Sequence, residues 1–157
     1  MTLISRTIAL NSPSRTEALA RHLAPVLGAG DVVLLEGPIG AGKTHFARCL
    51  IQSLLPLPED VPSPTFTLVQ VYDGPDSEIW HADLYRLSAP DEVVELGLTD
   101  AFEDAICLVE WPDRLADLAP ESALKMSFKL MEGEGQRRLT LSSTSQRWEP
   151  IIQAIPE

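Results

Sequence analysis

The spacing of apolar residues along the chain predicts seven strands. A strand buried on both faces is an unbroken apolar run, whereas a half-buried strand alternates apolar and polar residues. Val32–Leu35 and Ala105–Val109 show the first pattern, and residues 124–130 show the second before the chain turns at Glu132–Gly135. The predicted strands are Leu3–Leu10, Asp31–Glu36, Phe66–Tyr72, Glu78–Ala82, Ala105–Val109, 124–130 and Arg137–Leu141.

Helical patterns lie between these strands. Ser14 and Glu17 have the spacing of a capping box, in which a hydroxyl and a carboxylate satisfy amides of the first turn. Leucines then recur every four residues, and Lys43–Leu55 carries a similar apolar face. Shorter helices are predicted at Pro90–Leu96 and from Trp148 onward. Because helices alternate with strands and hairpins, we expect an α/β fold whose mixed parallel and antiparallel sheet is flanked by helices.

Composition and charge narrow the possible functions. A chain of 157 residues with 45% hydrophobic content has the size and the core of one domain, residues 1–157. The formal net charge of −11 opposes general binding to nucleic acid or to an anionic membrane. Residues 1–30 lack the pattern of a signal peptide, and the apolar runs are too short to span a bilayer. We therefore expect a soluble cytoplasmic protein with no membrane partner.

A glycine-rich segment after the second predicted strand fits the phosphate-binding pattern G-x-x-x-x-G-K-[ST]. Glycines let successive backbone N–H groups point at phosphate oxygens, and the helix that follows adds the positive end of its dipole. The lysine reaches the β- and γ-phosphates, and the hydroxyl binds Mg²⁺. A structural turn is disfavoured, because the pattern arises by chance in about one such chain in a thousand. The predicted nucleotide-binding residues are Gly37, Pro38, Ile39, Gly40, Ala41, Gly42, Lys43 and Thr44.

Two acidic residues near strand ends are candidates for the metal and for water activation. Asp83 follows one predicted strand and Glu110 ends another. A carboxylate at the carboxyl end of a strand is well placed beside a phosphate loop on an adjacent strand. From the spacing alone, a surface acid or a helix cap is an equally good interpretation of each. His81 is interpreted as a packed or solvated imidazole, and Trp111 either stacks on a base or fills the core.

The proline-rich segment Pro56–Pro64 and the hydroxyl that follows it are typical of a mobile switch loop. Such loops sense a γ-phosphate, and Thr65 within Ser63–Phe66 would supply a second hydroxyl ligand to Mg²⁺. A rigid connector is the competing interpretation of this segment.

Taken in chain order, these motifs resemble the TsaE (YjeE) family, the ATPase component of bacterial tRNA threonylcarbamoyladenosine biosynthesis. The resemblance rests on the phosphate loop, Ser63–Phe66, His81–Arg86, Glu95–Gly97 and Val109–Trp111, and it covers nearly the whole chain. One departure is visible. The family usually carries Thr or Ser directly after the Mg²⁺-binding Thr, whereas His45 stands at that place here.

The resemblance implies a P-loop NTPase-like three-layer fold that binds ATP and Mg²⁺ and hydrolyses ATP slowly without partners. It makes Asp83 the Walker-B-like acid and puts Glu110 near the metal or the attacking water. It also puts Thr65 in the switch-like loop and Trp111 near the site. The expected catalytic residues are Lys43, Asp83 and Glu110, and the expected metal residues are Thr44, Thr65, Asp83 and Glu110. The nucleotide-binding set then gains His45, Thr65 and Trp111.

The resemblance further implies protein partners of the TsaD and TsaB type, with tRNA held only through the partner complex. Because the net charge is −11 and no basic run exceeds Arg137–Arg138, we expect no strong tRNA binding by the chain alone. The chain has little room for a substrate domain, so hydrolysis is expected to act on a protein neighbour. ATP and ADP would order Pro56–Pro64 and Thr65 differently and so present two surfaces.

Three other functions compete with this one. A small-molecule kinase needs several lid arginines, but Arg86, Arg114 and the Arg137–Arg138 pair are scattered. A GTPase usually needs an Asn-Lys-x-Asp motif after the acidic strand, and the sole Asn of the sequence is Asn11, before the loop. A non-catalytic nucleotide-sensing adaptor stays open, because slow hydrolysis and none look alike in a sequence.

Overall fold

A computed structural model describes residues 3–57, 59–62, 64, 68–133 and 136–156 of the chain. Within these ranges, no helix is both long enough and apolar enough to cross a membrane. Thr65 and its neighbours Ser63 and Phe66 lie outside the described residues, so the switch-loop interpretation stays a prediction.

The described strands form one sheet of mixed direction. They are β1 (Ile4–Leu10), β2 (Val32–Glu36), β3 (Val69–Asp73), β4 (Glu78–Asp83), β5 (Ile106–Glu110), β6 (Leu124–Leu130) and β7 (Arg137–Ser143). Their order across the sheet is β1-β7-β6-β2-β5-β4-β3. The neighbours β6, β2, β5 and β4 are parallel, whereas β1 with β7, β7 with β6, and β3 with β4 are antiparallel. The predicted mixed sheet is confirmed, with each predicted strand present.

Helices cover both faces of this sheet. The described α-helices are α1 (Pro13–Leu23), α2 (Lys43–Leu54), α3 (Asp91–Glu95), α4 (Leu98–Asp104) and α5 (Trp148–Gln153). A 3₁₀ helix spans Ala24–Val26, and Pro112–Leu118 is 3₁₀-helical with a kink at Ala116. One core lies between the sheet and α1, α2 and α5, and a second lies under α3, α4 and Pro112–Leu118. The three-layer prediction is therefore confirmed.

Alternation along the central strands divides their side chains between the two cores. In β2, Val33 and Leu35 belong to the core under α2, while Val32 and Leu34 belong to the other core. A strand buried on both faces has no position for a polar residue, which explains the unbroken apolar run. β5 divides in the same way, and Glu110 at its end stands on the face that α2 covers.

The start of α1 corrects one prediction. Ser12, not Ser14, is the N-cap, and its side-chain oxygen accepts a hydrogen bond from the Arg15 N–H at 3.2 Å. Pro13 occupies the first helical position, where its fixed φ suits the helix and its missing N–H costs nothing. The predicted capping box from Ser14 to Glu17 was wrong, because the proline moves the helix start towards the N-terminus.

Candidate active site

The loop between β2 and α2 uses backbone conformations that favour glycine. Gly37 has a φ of +141°, and a Cβ at this position would lie 2.5 Å from the carbonyl oxygen of Phe128 on β6. Gly42 has a φ of +105° and is the N-cap of α2, which receives no side-chain cap. The glycines thus let the chain pass close to β6 and turn directly into the helix. The uncapped first amides of α2 remain available to an anion.

Lys43 is buried beside this loop, with 4% of its surface exposed. Its Nζ donates to the carbonyl oxygen of Gly37 at 2.7 Å and lies 3.5 Å from the centroid of the Trp111 ring. Burial lowers the pKa of Lys43, and nearby carboxylates, Glu110 foremost, act in the opposite direction. The ammonium is therefore held by one carbonyl and one aromatic face, in a setting where it attracts an anion more strongly than in water.

Glu110 joins α2 to two strands of the sheet. It is the last residue of β5 and is 1% exposed. The Thr44 hydroxyl donates to Oε1 of Glu110 at 2.7 Å, and Nε2 of His81 on β4 lies 2.8 Å from Oε2. His81 is fully buried. Both oxygens of this carboxylate are therefore engaged, one by the helix that follows the loop and one by the neighbouring strand.

Asp83 stands directly beside Glu110. The parallel strands β4 and β5 pair these two residues, so their side chains leave the same face of the sheet. Asp83 is 6% exposed, and its Oδ1 accepts a hydrogen bond from the backbone N–H of Tyr85 at 3.0 Å. The structure thus brings both predicted carboxylates to the carboxyl ends of adjacent strands, next to the phosphate loop.

A cavity of about 480 Å³ opens between the loop and the two carboxylates. This volume suits a small-molecule ligand. The predicted site residues on its wall are Ile39, Gly40, Gly42, Lys43, Thr44, His45, Asp83, Glu110 and Trp111. Gly37, Pro38 and Ala41 do not line it, and Ala41 is fully buried in the core beneath the loop.

Three cavity residues were not in the predicted site. Tyr85 packs with its ring centroid 4.9 Å from that of Trp111, and Arg86 follows it in the chain. Arg137, the first residue of β7, donates from Nη2 to the carbonyl oxygen of Gly40 at 3.0 Å. Tyr85 and Arg86 lie two and three residues after Asp83, so their nearness in the sequence could have indicated them. Arg137 arrives only through the β6–β7 pair, which no local pattern connects to the loop.

The remaining predicted nucleotide contacts have different placements. His45 lines the cavity, but its Nε2 lies 3.4 Å from the carbonyl oxygen of Pro13, and its ring lies close to the Cys49 sulfur. Trp111 lines the cavity with its ring against the buried ammonium. It also packs against the core under α4, so its placement fits core filling, and stacking on a base stays a prediction. Thr65 lies outside the described residues.

The cavity presents oxygen donors that suit Mg²⁺. The Thr44 hydroxyl and the carboxylates of Glu110 and Asp83 are hard oxygen ligands, which this ion prefers. In the part of the chain that the structure describes, no three His, Cys, Asp or Glu side chains form a ready metal site. Mg²⁺ usually binds one or two carboxylates together with substrate phosphates and water. The donor set therefore fits this ion as a companion of a bound phosphate.

Comparison with known proteins identifies the family. The family model described as "Threonylcarbamoyl adenosine biosynthesis protein TsaE" matches residues 10–139, which include the loop and both carboxylates. A Rickettsia bellii (strain RML369-C) protein described as tRNA threonylcarbamoyladenosine biosynthesis protein TsaE is 39% identical over 132 residues, or 84% of this chain and 91% of that protein. A Bacillus subtilis (strain 168) protein with the same description is 33% identical over 145 residues, or 92% and 89%.

The fold agrees with this assignment. A crystal structure of Bacillus subtilis YdiB matches with a TM-score of 0.78 and 28% identity, over 98% of this chain and 95% of that one. Since the sequence and the architecture both match over most of the chain, the protein belongs to the TsaE family of threonylcarbamoyl adenosine biosynthesis proteins.

Proposed function

We propose that the chain is a cytoplasmic, Mg²⁺-dependent ATPase. It supports threonylcarbamoyl modification of tRNA adenosine by acting as a nucleotide-driven switch on TsaD/TsaB-like partners. The contact between Thr44 and Glu110 carries the ATPase proposal, because the hydroxyl that ends the phosphate-loop motif donates to a buried carboxylate of the neighbouring strand at 2.7 Å. A glycine turn with only a structural role would not require a hydroxyl–carboxylate hydrogen bond beside a buried lysine. The descriptions of the relatives support the pathway.

The triphosphate of ATP is proposed to lie along the loop and the start of α2. The uncapped amides there supply N–H donors, and Lys43 supplies the positive charge. In this structure its ammonium donates to the Gly37 carbonyl, a neutral acceptor. Exchanging that acceptor for charged phosphate oxygens gives a stronger, charge-assisted hydrogen bond. The stronger hydrogen bond to phosphate favours nucleotide binding by Lys43 over its contact with the Gly37 carbonyl.

Thr44 and Glu110 are the described residues that would hold Mg²⁺ directly, with Thr65 as a further hydroxyl and Asp83 beside Glu110 on the paired strand. When bound with ATP, the ion offsets negative charge that develops on the phosphates during transfer. The Thr44 hydroxyl hydrogen already points at Glu110, so its oxygen can present lone pairs to a cation. This polarity favours Glu110 for the metal-side role that the family resemblance had given to Asp83.

Asp83 is then proposed to position the attacking water. Its carboxylate is buried on the cavity wall, and the Tyr85 N–H fixes one of its oxygens. A carboxylate held in this way accepts a hydrogen bond from water and orients it towards phosphate. Glu110 is given the metal-side role because it accepts the hydrogen bond of the Thr44 hydroxyl, and Asp83, beside it on the paired strand, is given the attacking water.

The net charge of the chain supports the proposal that it acts on a protein partner rather than directly on tRNA. A net charge of −11 opposes direct tRNA binding, so tRNA is proposed to be held by the partner complex. The segment Pro56–Pro64 and Thr65 is the proposed lever, with ATP ordering it in one arrangement and ADP releasing it. A preference of the partner for one state by ~1–3 kcal/mol is enough for useful coupling.

Phosphate release from ATP tests the ATPase. We expect TsaD/TsaB-like partners to stimulate release in Mg²⁺ buffer, and we expect the activity to vanish in EDTA and in Lys43→Ala. Release without any added acceptor separates hydrolysis from a kinase reaction. Nucleotide binding without turnover, even with partners present, would favour the non-catalytic adaptor. Equal turnover by wild type and Lys43→Ala would overturn the site assignment.

Capture experiments test the switch. The protein is immobilised and presented with a TsaD/TsaB-like assembly in ATP or in ADP, and a gel shift with tRNA is run on the protein alone. We expect capture to differ between the two nucleotides, and we expect no strong shift of tRNA. Equal capture in both nucleotides would refute the switch, and tight tRNA binding by the lone protein would refute indirect tRNA recognition.

A further inference from the structure

We infer that His81 is a positioning residue that holds the Glu110 carboxylate in the orientation needed at the metal side of the site. This inference rests on the proposed function, since it deepens the role given there to Glu110. It concerns the hydrogen bond between His81 Nε2 and Glu110 Oε2, at 2.8 Å.

The backbone holds the imidazole in one place. β4 lies between β3 and β5, and His81 is paired with Gln70 on one side and Leu108 on the other. Its side chain is fully buried on the face that α2 covers. A donor on an interior strand moves less than one on a loop, so it can fix the rotamer of the glutamate beside it.

Among the residues that the structure describes, the side chain of His81 makes its hydrogen bond with Glu110. A carboxylate only accepts hydrogen bonds, so Nε2 carries the hydrogen in the bond to Glu110. Nδ1 is buried and has no hydrogen-bond partner among the residues that the structure describes. An apolar residue would avoid the cost of burying that nitrogen. For packing alone, an imidazole is therefore less favourable here than an apolar side chain. Its hydrogen bond with the Glu110 carboxylate gives it a role in the site.

The two oxygens of the Glu110 carboxylate have different hydrogen-bond partners, which explains why the bond from His81 matters. Oε1 receives the Thr44 hydroxyl and Oε2 receives His81, so the carboxylate is held at both oxygens. Without the second donor, the side chain can rotate and the Thr44 hydroxyl is no longer presented in one direction. Hydrogen-bond partners of metal-binding carboxylates typically change metal affinity or activity by about 10- to 100-fold when they are replaced.

Three replacements of His81 separate positioning from packing. In His81→Gln, the side-chain amide nitrogen reaches about as far as Nε2 and keeps a donor for Glu110. His81→Asn carries the same amide but is too short to reach it, and His81→Leu has no donor. Ile79→Ala is the control for packing, because Ile79 lies on the same strand, is fully buried, and belongs to the core under α2.

The measurement is the dissociation constant for ADP and for a non-hydrolysable ATP analogue, each in Mg²⁺ and in EDTA. We expect His81→Leu and His81→Asn to reduce the gain in affinity from Mg²⁺ by about 10- to 100-fold while the affinity in EDTA is unchanged. His81→Gln should recover most of the gain, and Ile79→Ala should keep it. A wild-type gain in His81→Leu would overturn the inference, as would a loss in His81→Gln equal to that in His81→Leu. A wild-type protein without any Mg²⁺ effect would instead overturn the proposed function itself.

Discussion

Thr44 and Glu110 stand 66 positions apart in the chain, yet the hydroxyl of the first donates to the carboxylate of the second at 2.7 Å. The contact ties the first turn of α2 to the end of β5, across the boundary between helix layer and sheet. It distinguishes Glu110 from Asp83, although the two carboxylates lie side by side on paired strands. Their replacement should therefore have different consequences.

Glu110→Gln is expected to weaken the Mg²⁺-dependent part of ATP binding more than Asp83→Asn does. The first change removes the charge that faces the Thr44 hydroxyl, and the second removes the charge of the carboxylate that accepts the Tyr85 N–H. Magnesium titrations of nucleotide binding by both variants provide the measurement, and single-turnover hydrolysis shows whether Asp83→Asn acts mainly on kcat. The reverse order of Mg²⁺ effects would return the metal-side role to Asp83.

Lys43→Ala is expected to abolish tight ATP binding while the fold survives. Burial lowers the pKa of this ammonium, so its charged form gains nothing from being in the folded protein, and the unfolding free energy should change little. Loss of its phosphate contacts should weaken ATP by ~10-fold or more, since a hydrogen bond to a charged group contributes ~1.5–3 kcal/mol. Calorimetry with MgATP and thermal unfolding measure the two effects.

Lys125→Ala is the matched control for that change. Lys125 lies on β6, is half exposed, and sits 3.4 Å from Glu36. Exposed pairs of this kind contribute little, so both ATP affinity and stability should stay near wild type. If Lys43→Ala behaves like this control, Lys43 does not bind the nucleotide.

Gly37→Ala is expected to disturb the loop and the fold together. The new Cβ would lie 2.5 Å from the Phe128 carbonyl oxygen in a backbone conformation that alanine avoids, which should cost about 1–3 kcal/mol. Gly28→Ala is the comparison, because a Cβ there has no neighbour within 4 Å, and its effect should stay within about 0.5 kcal/mol. Urea unfolding and MgATP affinity of both variants test this. Equal stability of the two variants would contradict the close approach to β6.

Stability is expected to fall between pH 8 and pH 10 because of Cys107. This thiol is fully buried on β5, and burial raises its pKa from 9.0 to about 12. Between these values the unfolded chain releases the proton and the folded protein keeps it, so ionisation stabilises the unfolded state as pH rises. The contribution at pH 10 is about 1.4 kcal/mol.

Cys107→Ala removes this titration while every other group remains. The difference in unfolding free energy between wild type and the variant should therefore shift against wild type by about 1.4 kcal/mol from pH 8 to pH 10. Urea unfolding at several pH values measures it. Parallel curves for the two proteins would show that the thiol is not buried as described.

Much of the fold was predictable because the central strands are apolar on both faces and α2 carries a regular apolar stripe. Phe46 and Leu50 of that stripe are fully buried, as expected from their spacing. Helix α4 escaped prediction because Leu98 and Ala101 are the buried residues of its seven, too few to establish a period. The start of α1 was predicted too late in the chain, because the spacing of Ser14 and Glu17 imitates a capping box. Pro13 already occupies the first helical position.

Site residues that belong to one continuous motif were predictable from the sequence. Contacts that depend on the register between strands were not. The loop is one continuous motif, and two strand ends suggested its acidic neighbours. The bond from His81 to Glu110 exists because β4 and β5 pair in one register, which residue types do not specify. Arg137 reaches Gly40 through a hairpin that begins far along the chain. Contacts of this kind arise from topology and leave no local pattern.

The place of β1 has a consequence for synthesis. This strand lies at one edge of the sheet, and β7 is its sole neighbour among the described strands, with Ile4 facing Ser143. A ribosome that adds ~5–20 residues per second makes the first strand on the order of ten seconds before its partner. The N-terminal strand must wait unpaired while the chain that contains the phosphate loop emerges. β1 is thus unable to take its place in the sheet until β7, its partner, has left the ribosome.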